Sequence, residues 1–510
     1  MKTIALVRAG VLLAVAAAPA HGQTGPSLKT DPAGRDTVVA SMSSRLIGPR
    51  FTLTAARLIS VEDGETSATP QQGQPTFDPW GARRSHGLAV AEVALVNGFV
   101  WGFNEFIRGG NFTTQSPRSW VDNFKHGFEF DDNHFDNNQF AHPFHGSLYH
   151  NAARSNGLNY WESAPYAIGG SLMWECCGEI HRMAINDWIN TSIGGIAIGE
   201  MVYRLTSTIL DTEARGWGRF WREAGASLLN PVRGFNRITS GRAWEVRPNP
   251  VERTATRVAN RLIVGSRTVG EGRLRNNAET GVFFEIDFRF GDPMDSEVRA
   301  PFDWFTLGAQ LNFGEEGKSA FGRLNIRGNL YTSDMKREEG HTRRFTILQN
   351  FTYMNNRAFE FGSQSFSAAI MSRRDLSESA VLSLTGELQA ILLGAVNSEF
   401  AFLAEVPNQE REREYDYGPG AGARLDGTIT VNGTRVISLG YQINWLHTLN
   451  GGDGDHLVHI VALRAGVPIK GTFGLGVDGI VFLRNSFYTQ FTNVTQRVPQ
   501  LRLYAQFDVR

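Results

Sequence analysis

The densest run of chemistry-bearing side chains lies between His142 and Glu200. It opens with His142-Pro143-Phe144-His145, passes His150 and Arg154, and continues through Glu162, Glu175, Glu179, Asp187 and Glu200. Imidazole nitrogens and carboxylate oxygens are ligands for zinc and non-haem metals, which makes His142, His145, Glu175 and Glu179 weak metal-ligand candidates. No His-Glu-x-x-His helix or other established ligand spacing accompanies them, so a satisfied buried hydrogen-bond network outranks a metal and no cofactor is expected. Acid–base chemistry needs carboxyls and imidazoles within hydrogen-bond reach of one another, and the candidates for it are His145, Arg154, Glu162, Glu175, Glu179, Asp187 and Glu200. Glu175 and Glu179 are four apart and share a helix face. Gly195 and Gly199 would let a second helix approach closely.

These residues recur in an ordered set of motifs: His142-Pro143-x-His145-Gly146, Ala152-Ala153-Arg154-Ser155-x-Gly157, Trp174-Glu175 with Gly178-Glu179, and Gly194-Gly195 through Gly199-Glu200. The set resembles the signature of the bacterial domain-of-unknown-function family numbered 3943, over roughly Val93 to Ile238. That resemblance implies an envelope protein and assigns no reaction. Arg154-Ser155-Asn156-Gly157 also looks like part of the His-x-Ser-Asn-Gly motif of outer-membrane phospholipases, but the histidine position falls on Ala153 and the segment reads as helix. His150 is the neighbouring base, and serine activation requires one within reach. Trp161, Trp174 and Trp188 beside Glu162 invite a sugar-site reading, against which tryptophan on such helices is more often core packing.

The elements that must position these groups are helical. From Leu88 to Leu229 apolar residues recur at three-to-four spacing, with helices expected near 89–107, 144–156, 162–179, 185–210 and 217–229. Glu92, Asn97, Asn104 and Glu105 would be costly in lipid, so the first helix reads as buried in protein. The adjacent Cys176 and Cys177 read as small packing residues, because a disulfide between neighbours closes a strained ring.

After about Arg242 the period changes to two. Phe284, Ile286, Phe288 and Phe290 alternate with Glu285, Asp287 and Arg289, and the final run sets Leu501, Leu503, Ala505 and Phe507 against Arg502, Tyr504, Gln506 and Asp508. Runs of about 10–15 residues exceed the usual soluble strand and suit tilted bilayer-crossing strands. Asn432-Gly433 is the strongest hairpin signal dividing them. Phe302, Trp304, Tyr331, Tyr353, Trp445 and Tyr488 near strand ends fit interfacial girdles. The charged Gln409–Glu414 segment reads as a solvated loop.

The fold expected is therefore α+β, a small N-terminal helical bundle followed by an antiparallel transmembrane β-barrel of about 12 strands. Lys2 and Arg8 ahead of an apolar run and Ala18-Pro19-Ala20 read as a secretory signal over 1–20. Residues 21–87 read as an irregular linker, with one candidate strand at Phe51–Ala55; 88–240 form the helical domain and 241–510 the barrel. A mean hydropathy of -0.24 is compatible with a barrel, since only alternate strand residues meet lipid. The net charge of -1 gives no reason to expect nucleic acid. The partner expected is the outer-membrane lipid bilayer, with a small-molecule or lipid ligand left open and the oligomeric state not readable. The preferred function is a non-enzymatic outer-membrane protein with a channel or structural role, its helices forming a plug in the lumen or a periplasmic domain. The alternative is an envelope enzyme, a lipid or cell-wall hydrolase with a His/Glu/Asp site among the helices.

Overall fold

The computed structural model describes residues 78–109, 115–251, 253, 258–298, 300–314, 320–401 and 413–509. The readings of a signal at 1–20, of the linker up to residue 77 with its strand at Phe51–Ala55, and of most of the charged Gln409–Glu414 loop lie outside the described residues. The helices are α1 (His86–Phe103), α2 (Pro117–His126), α3 (His142–Ser155), α4 (Tyr160–Cys177), α5 (Ile185–Ile189), α6 (Gly195–Ile209), α7 (Gly216–Leu229) and α8 (Pro231–Thr239). Single π-helical turns extend α1, lead into α3 and join α5 to α6. The spacing anticipates all of these but α2 and α8, two short helices that start at Ser116-Pro117 and Asn230-Pro231. There a side-chain cap and a proline at the first helical position do the work that a long apolar stripe does elsewhere.

Twelve strands follow: β1 (Val258–Val269), β2 (Glu279–Phe290), β3 (Phe305–Phe313), β4 (Phe321–Glu338), β5 (His341–Asn355), β6 (Glu360–Asp375), β7 (Ala380–Asn397), β8 (Tyr415–Val431), β9 (Thr434–His447), β10 (Gly454–Lys470), β11 (Phe473–Tyr488) and β12 (Val494–Val509). Each pairs antiparallel with its sequence neighbour, and β12 pairs with β1 to close the barrel. The β8–β9 turn is the two-residue Asn432-Gly433, both at positive φ (50° and 75°), which is the backbone a tight hairpin demands. Other short turns, β4–β5 and β10–β11, lie at the same end. Longer connections such as 270–278 and 398–414 lie at the opposite end, while the β2–β3 connection, 291–304, is the long one at the short-turn end.

The register assigns the faces. Glu285 of β2 and Arg464 of β10 are separated by three strands in the closed order, yet their side chains meet at 3.3 Å. Only side chains pointing into the lumen can do this. Following the paired positions outward from Glu285, the inward set includes Gln310, Arg323, Asn350, Ser365, Asp416, Asp478 and Arg502. The opposite faces carry Leu388, Leu425, Leu439, Leu463 and Leu503, all exposed. Apolar side chains thus face outward and polar ones inward, as the alternation implies.

The lumen is filled by its own wall. Glu285 receives Arg323 (3.0 Å), Arg464 (3.3 Å) and Arg502 (2.7 Å), and Arg502 also reaches Asp478 at 3.2 Å. Above this ionic layer, toward the long connections, lies an apolar one that includes Val269, Phe361, Ile391, Val458, Phe482 and Val498. Phe359 from the β5–β6 connection stacks edge-on against Phe482 at 5.1 Å.

The helices do not fill the lumen, the first of the two positions expected for them. Among the described residues, the wall residues they touch belong to the outward set, including Phe321 of β4, Gln349, Phe351, Tyr353 and Asn355 of β5, Gly362 and Gln364 of β6, and Tyr415 and Tyr417 of β8. The bundle therefore packs against the outside of the barrel, over β3 to β8, and the lumen is left to the strands. It also runs the height of the wall. At the short-turn end Arg204 of α6 donates to the Pro301 carbonyl, and at the long-loop end Asp136 accepts from Tyr353 and Asn355. Phe302, Trp304 and Tyr353, expected at an interfacial girdle, are instead buried, Phe302 and Tyr353 within this helix–wall core; Tyr488 is also buried, whereas Tyr331 and Trp445 stay exposed. The bundle's outer surface is apolar: Leu88, Val90, Leu95 and Phe99 of α1, Trp161 of α4 and Trp217, Phe220 and Trp221 of α7 are all exposed.

Candidate functional site

Close helix approach builds the site. Gly146 of α3 faces the Thr191 carbonyl and Gly195, and Gly199 of α6 lies on the His150 ring, so a Cβ at Gly146, Gly195 or Gly199 would overlap its neighbour. This is the contact that the spacing of Gly195 and Gly199 implied. It brings α3 and α6 into backbone contact and carries their polar residues into two separate buried clusters.

The first cluster is an ionic clamp. Glu200 of α6 is fully buried and accepts from Arg154 Nε (2.7 Å) and Nη2 (3.2 Å), His150 Nε2 (3.1 Å) and Arg204 Nε (2.9 Å). Arg154 also donates to the Leu158 carbonyl and lies 4.0 Å over the Tyr203 ring, and Arg204 continues to Asp303 at 3.5 Å. Both Glu200 oxygens are fully used, so Arg154 and Glu200 bolt α3 to α6, while Arg204 ties α6 to the β2–β3 connection. His150 is committed to Glu200, so the base that a Ser155 nucleophile would need is occupied elsewhere.

The second cluster lies nearer the long-loop end. His142 at the start of α3, Glu175 near the end of α4 and Asp187 of α5 bring one potential ligand atom each within 4.8 Å of one another. His142 Nε2 stands 3.4 Å from Asp187 Oδ2, and His142 Nδ1 stands 3.2 Å from Thr191 Oγ1. Glu175 Oε2 accepts the Ala184 amide at 2.9 Å, while its Oε1 is buried with no hydrogen-bond partner among the described residues. Asn186 spans Asp131 (2.6 Å) and Asp187 (2.7 Å), and Asn138 donates to Asp131 (2.6 Å) and to the Tyr415 hydroxyl (2.9 Å). The barrel wall thus supplies one side of the cluster. Arg413 approaches from the β7–β8 connection, donating to the Asp131 carbonyl at 3.1 Å and standing 3.8 Å from Asp132.

The remaining candidates do not join. His145 bonds the Tyr149 hydroxyl at 2.8 Å and packs edge-on against Trp174, inside the helical core. Glu179 follows α4 and is half-buried; its charge is felt by Glu175 and Asp187, but it brings no ligand atom into their group, and its backbone carbonyl accepts from Asn123. Glu162 is the third residue of a capping box, exchanging hydrogen bonds with Asn159 and pairing with Arg84. Trp161 is exposed and Trp174 buried, so they form no common platform. Cys176 and Cys177 are joined as a disulfide rather than acting as free packing residues.

Sequence reasoning missed a third group. Asp416 of β8, His456 of β10 and Ser486 of β11 form a buried chain in the lumen, with Asp416 Oδ2 to His456 Nε2 at 3.0 Å and His456 Nδ1 to Ser486 Oγ at 2.8 Å. Asp416 Oδ1 accepts the Gly452 amide, tying down the β9–β10 connection. The residue types suit acyl transfer, but all three side chains are sealed from solvent and serve as a polar lock on that connection. Spaced 40 and 30 residues apart on three strands, they leave no local signal.

A closed antiparallel barrel with an apolar exterior, a packed polar interior and a flanking helical bundle defines the class: a transmembrane β-barrel with an attached helical domain. Residues 127–232 match the family model described as a domain of unknown function (DUF3943), in agreement with the resemblance read from the motifs. That segment runs from the α2–α3 connection into α8 and contains both helical clusters. No curated protein matches the chain. Among solved structures it is similar to the NanC porin, at 10% identity over 48% of this chain and 98% of that one with a TM-score of 0.24. It is also similar to the KdgM porin, at 9% identity, 49% and 99% coverage and a TM-score of 0.24. A third is the outer membrane channel DcaP of Acinetobacter baumannii, at 8% identity, 50% and 97% coverage and a TM-score of 0.23. Scores this low carry no argument, and the architecture rests on the strand register.

Proposed function

We propose that the protein is an outer-membrane β-barrel with a structural role in the envelope, in which the strands close their own lumen and the helical domain lies in the bilayer beside the wall. The observation that carries this reading is the register: apolar side chains form the outward set, the ionic and apolar layers fill the inward set, and among the described residues the helices contact the outward set. A lipid-facing wall cannot lie against water without exposing a continuous apolar surface. The outer surfaces of α1 and α7 are apolar like the outward faces of β9 to β12, which is the surface that one lipid belt around bundle and barrel would cover. By the usual arrangement of such barrels the short turns face the periplasm and the long connections the cell exterior.

The packed lumen separates this reading from an open pore. Purified protein reconstituted into planar bilayers should insert and give no steady ion conductance at moderate voltage. Stable conductance steps in the wild type would refute the closed lumen, and failure to associate with lipid vesicles would refute the membrane placement. The hydrolase reading fares less well, because Glu162, His145 and Glu200 are drawn into three different structural networks rather than one site.

A further inference from the structure

We propose that His142, Glu175 and Asp187 bind one divalent transition-metal ion, zinc being the reference case. The inference goes beyond the structural reading above and stands whether or not the bundle meets lipid. Three separate segments supply the ligands: the start of α3, the end of α4 and α5. Glu175 and Asp187 are essentially fully buried, and only an edge of His142 is accessible, which leaves one side for an ion to enter.

Four features fit an ion. The His142 Nε2 to Asp187 Oδ2 separation of 3.4 Å matches the ligand–ligand edge of a tetrahedron with metal bonds of about 2.1 Å, the usual length for zinc with nitrogen and oxygen. Glu175, whose ligand atom lies within 4.8 Å of the other two, would need to draw in by at most about 1.4 Å to complete that geometry. Second, Glu175 Oε1 is a buried carboxylate oxygen with no hydrogen-bond partner among the described residues, a lone pair that a cation would satisfy. Third, Thr191 Oγ1 lies 3.2 Å from His142 Nδ1. An acceptor there fixes the proton on Nδ1 and leaves Nε2 free as the ligand, the outer-shell arrangement that metal-binding histidines require. Fourth, Asn186 holds Asp187 through Oδ1 and leaves Oδ2 toward His142.

Among the described residues no lysine or arginine pairs with Glu175 or Asp187. Arg413, which reaches this region from the β7–β8 connection, is directed to the Asp131 carbonyl and to Asp132 rather than to Glu175 or Asp187. Glu175 and Asp187, buried together beside Asp131 and Glu179, must therefore share protons or share a cation, since several carboxylates cannot all ionise there at low cost. An ion here would pin α3, α4 and α5 at the point where Asn138 and Tyr415 join the bundle to the barrel.

The test uses the full-length protein in detergent, made without a polyhistidine tag, stripped with a chelator and titrated with Co2+ and Zn2+. The expected result is one Zn2+ per chain by elemental analysis and, with Co2+, the intense visible bands of a four-coordinate nitrogen/oxygen site, displaced by Zn2+. Glu175→Gln and Asp187→Asn should each weaken binding at least about tenfold, while Glu162→Gln, at the α4 cap, leaves it unchanged. Absence of stoichiometric binding by the wild type would overturn the proposal whatever the variants do. Binding that survives both Glu175→Gln and Asp187→Asn would overturn the assignment to these residues.

Discussion

Replacing Glu200 by glutamine tests how the helical domain is held together. The carboxylate takes two hydrogen bonds from Arg154, one from Arg204 and one from His150. Glutamine keeps the shape, removes the charge and leaves two guanidinium groups in a largely buried setting. Breaking a buried ion pair by removing one partner costs about 3–5 kcal/mol. Arg204 retains Asp303 and the Pro301 carbonyl, and Arg154 retains the Leu158 carbonyl, so the lower part of that range, about 3 kcal/mol, is expected. The assay is equilibrium unfolding of the helical domain in detergent, followed by far-ultraviolet circular dichroism, combined with Arg154→Met in a double-mutant cycle. The double variant should lose less than the sum of the two singles by at least about 1 kcal/mol, because residues in one network couple. A loss below about 1 kcal/mol for Glu200→Gln, or strict additivity, would refute the clamp as the bond between α3 and α6.

Other consequences are measurable on the same protein. Leu463→Arg places a charge at the middle of the outward face of β10 and should destabilise the bilayer-inserted form by about 2–4 kcal/mol in a refolding titration; no penalty would mean that this face does not meet lipid. Phe482→Ala removes the ring that packs against Phe359 in the luminal apolar layer, costing about 3–5 kcal/mol, and unfolding midpoints would show whether that layer is a true core. Asp292, in the β2–β3 connection, is penalised by burial, but the paired hydrogen bonds from Arg373 win and hold its carboxyl below the usual aspartate range. A carboxyl depressed in the folded state stabilises above its unfolded value of about 3.9 and loses that contribution as pH falls through the folded value. Asp292→Asn should therefore be less stable than wild type at pH 7, and the gap should close in strong acid.

The strands were legible because their alternation is unbroken over runs such as Phe284–Phe290 and Leu501–Phe507, and a period of two leaves one solution for the faces. The helices were legible because Gly195, Gly199 and the apolar stripes mark both packing and length. The position of the bundle was not. Tyr415, Tyr417, Tyr353 and Phe351 belong to the apolar-out set that reads as lipid-facing, and nothing local tells whether lipid or a helix covers such a residue. Equally, the alternation shows polar side chains facing the lumen but not that Glu285, Arg464 and Arg502 reach across and fill it. Of the candidate residues, His142, Glu175 and Asp187 converge because α3, α4 and α5 cross there, a tertiary fact without a sequence spacing, whereas Glu162 was read for chemistry although it completes a helix cap that its spacing from Asn159 announces.

The placement of the helical domain is tested most directly by nitroxide labels at Leu95 and Phe99 of α1, with Leu463 of β10 as the barrel reference, in protein reconstituted into lipid vesicles. The account predicts that all three labels collide readily with oxygen and poorly with a water-soluble nickel chelate, as lipid-facing sites do. A label at Leu95 or Phe99 that is open to the nickel chelate, with Leu463 remaining shielded, would place the bundle in water and contradict the claim that bundle and barrel share one lipid belt.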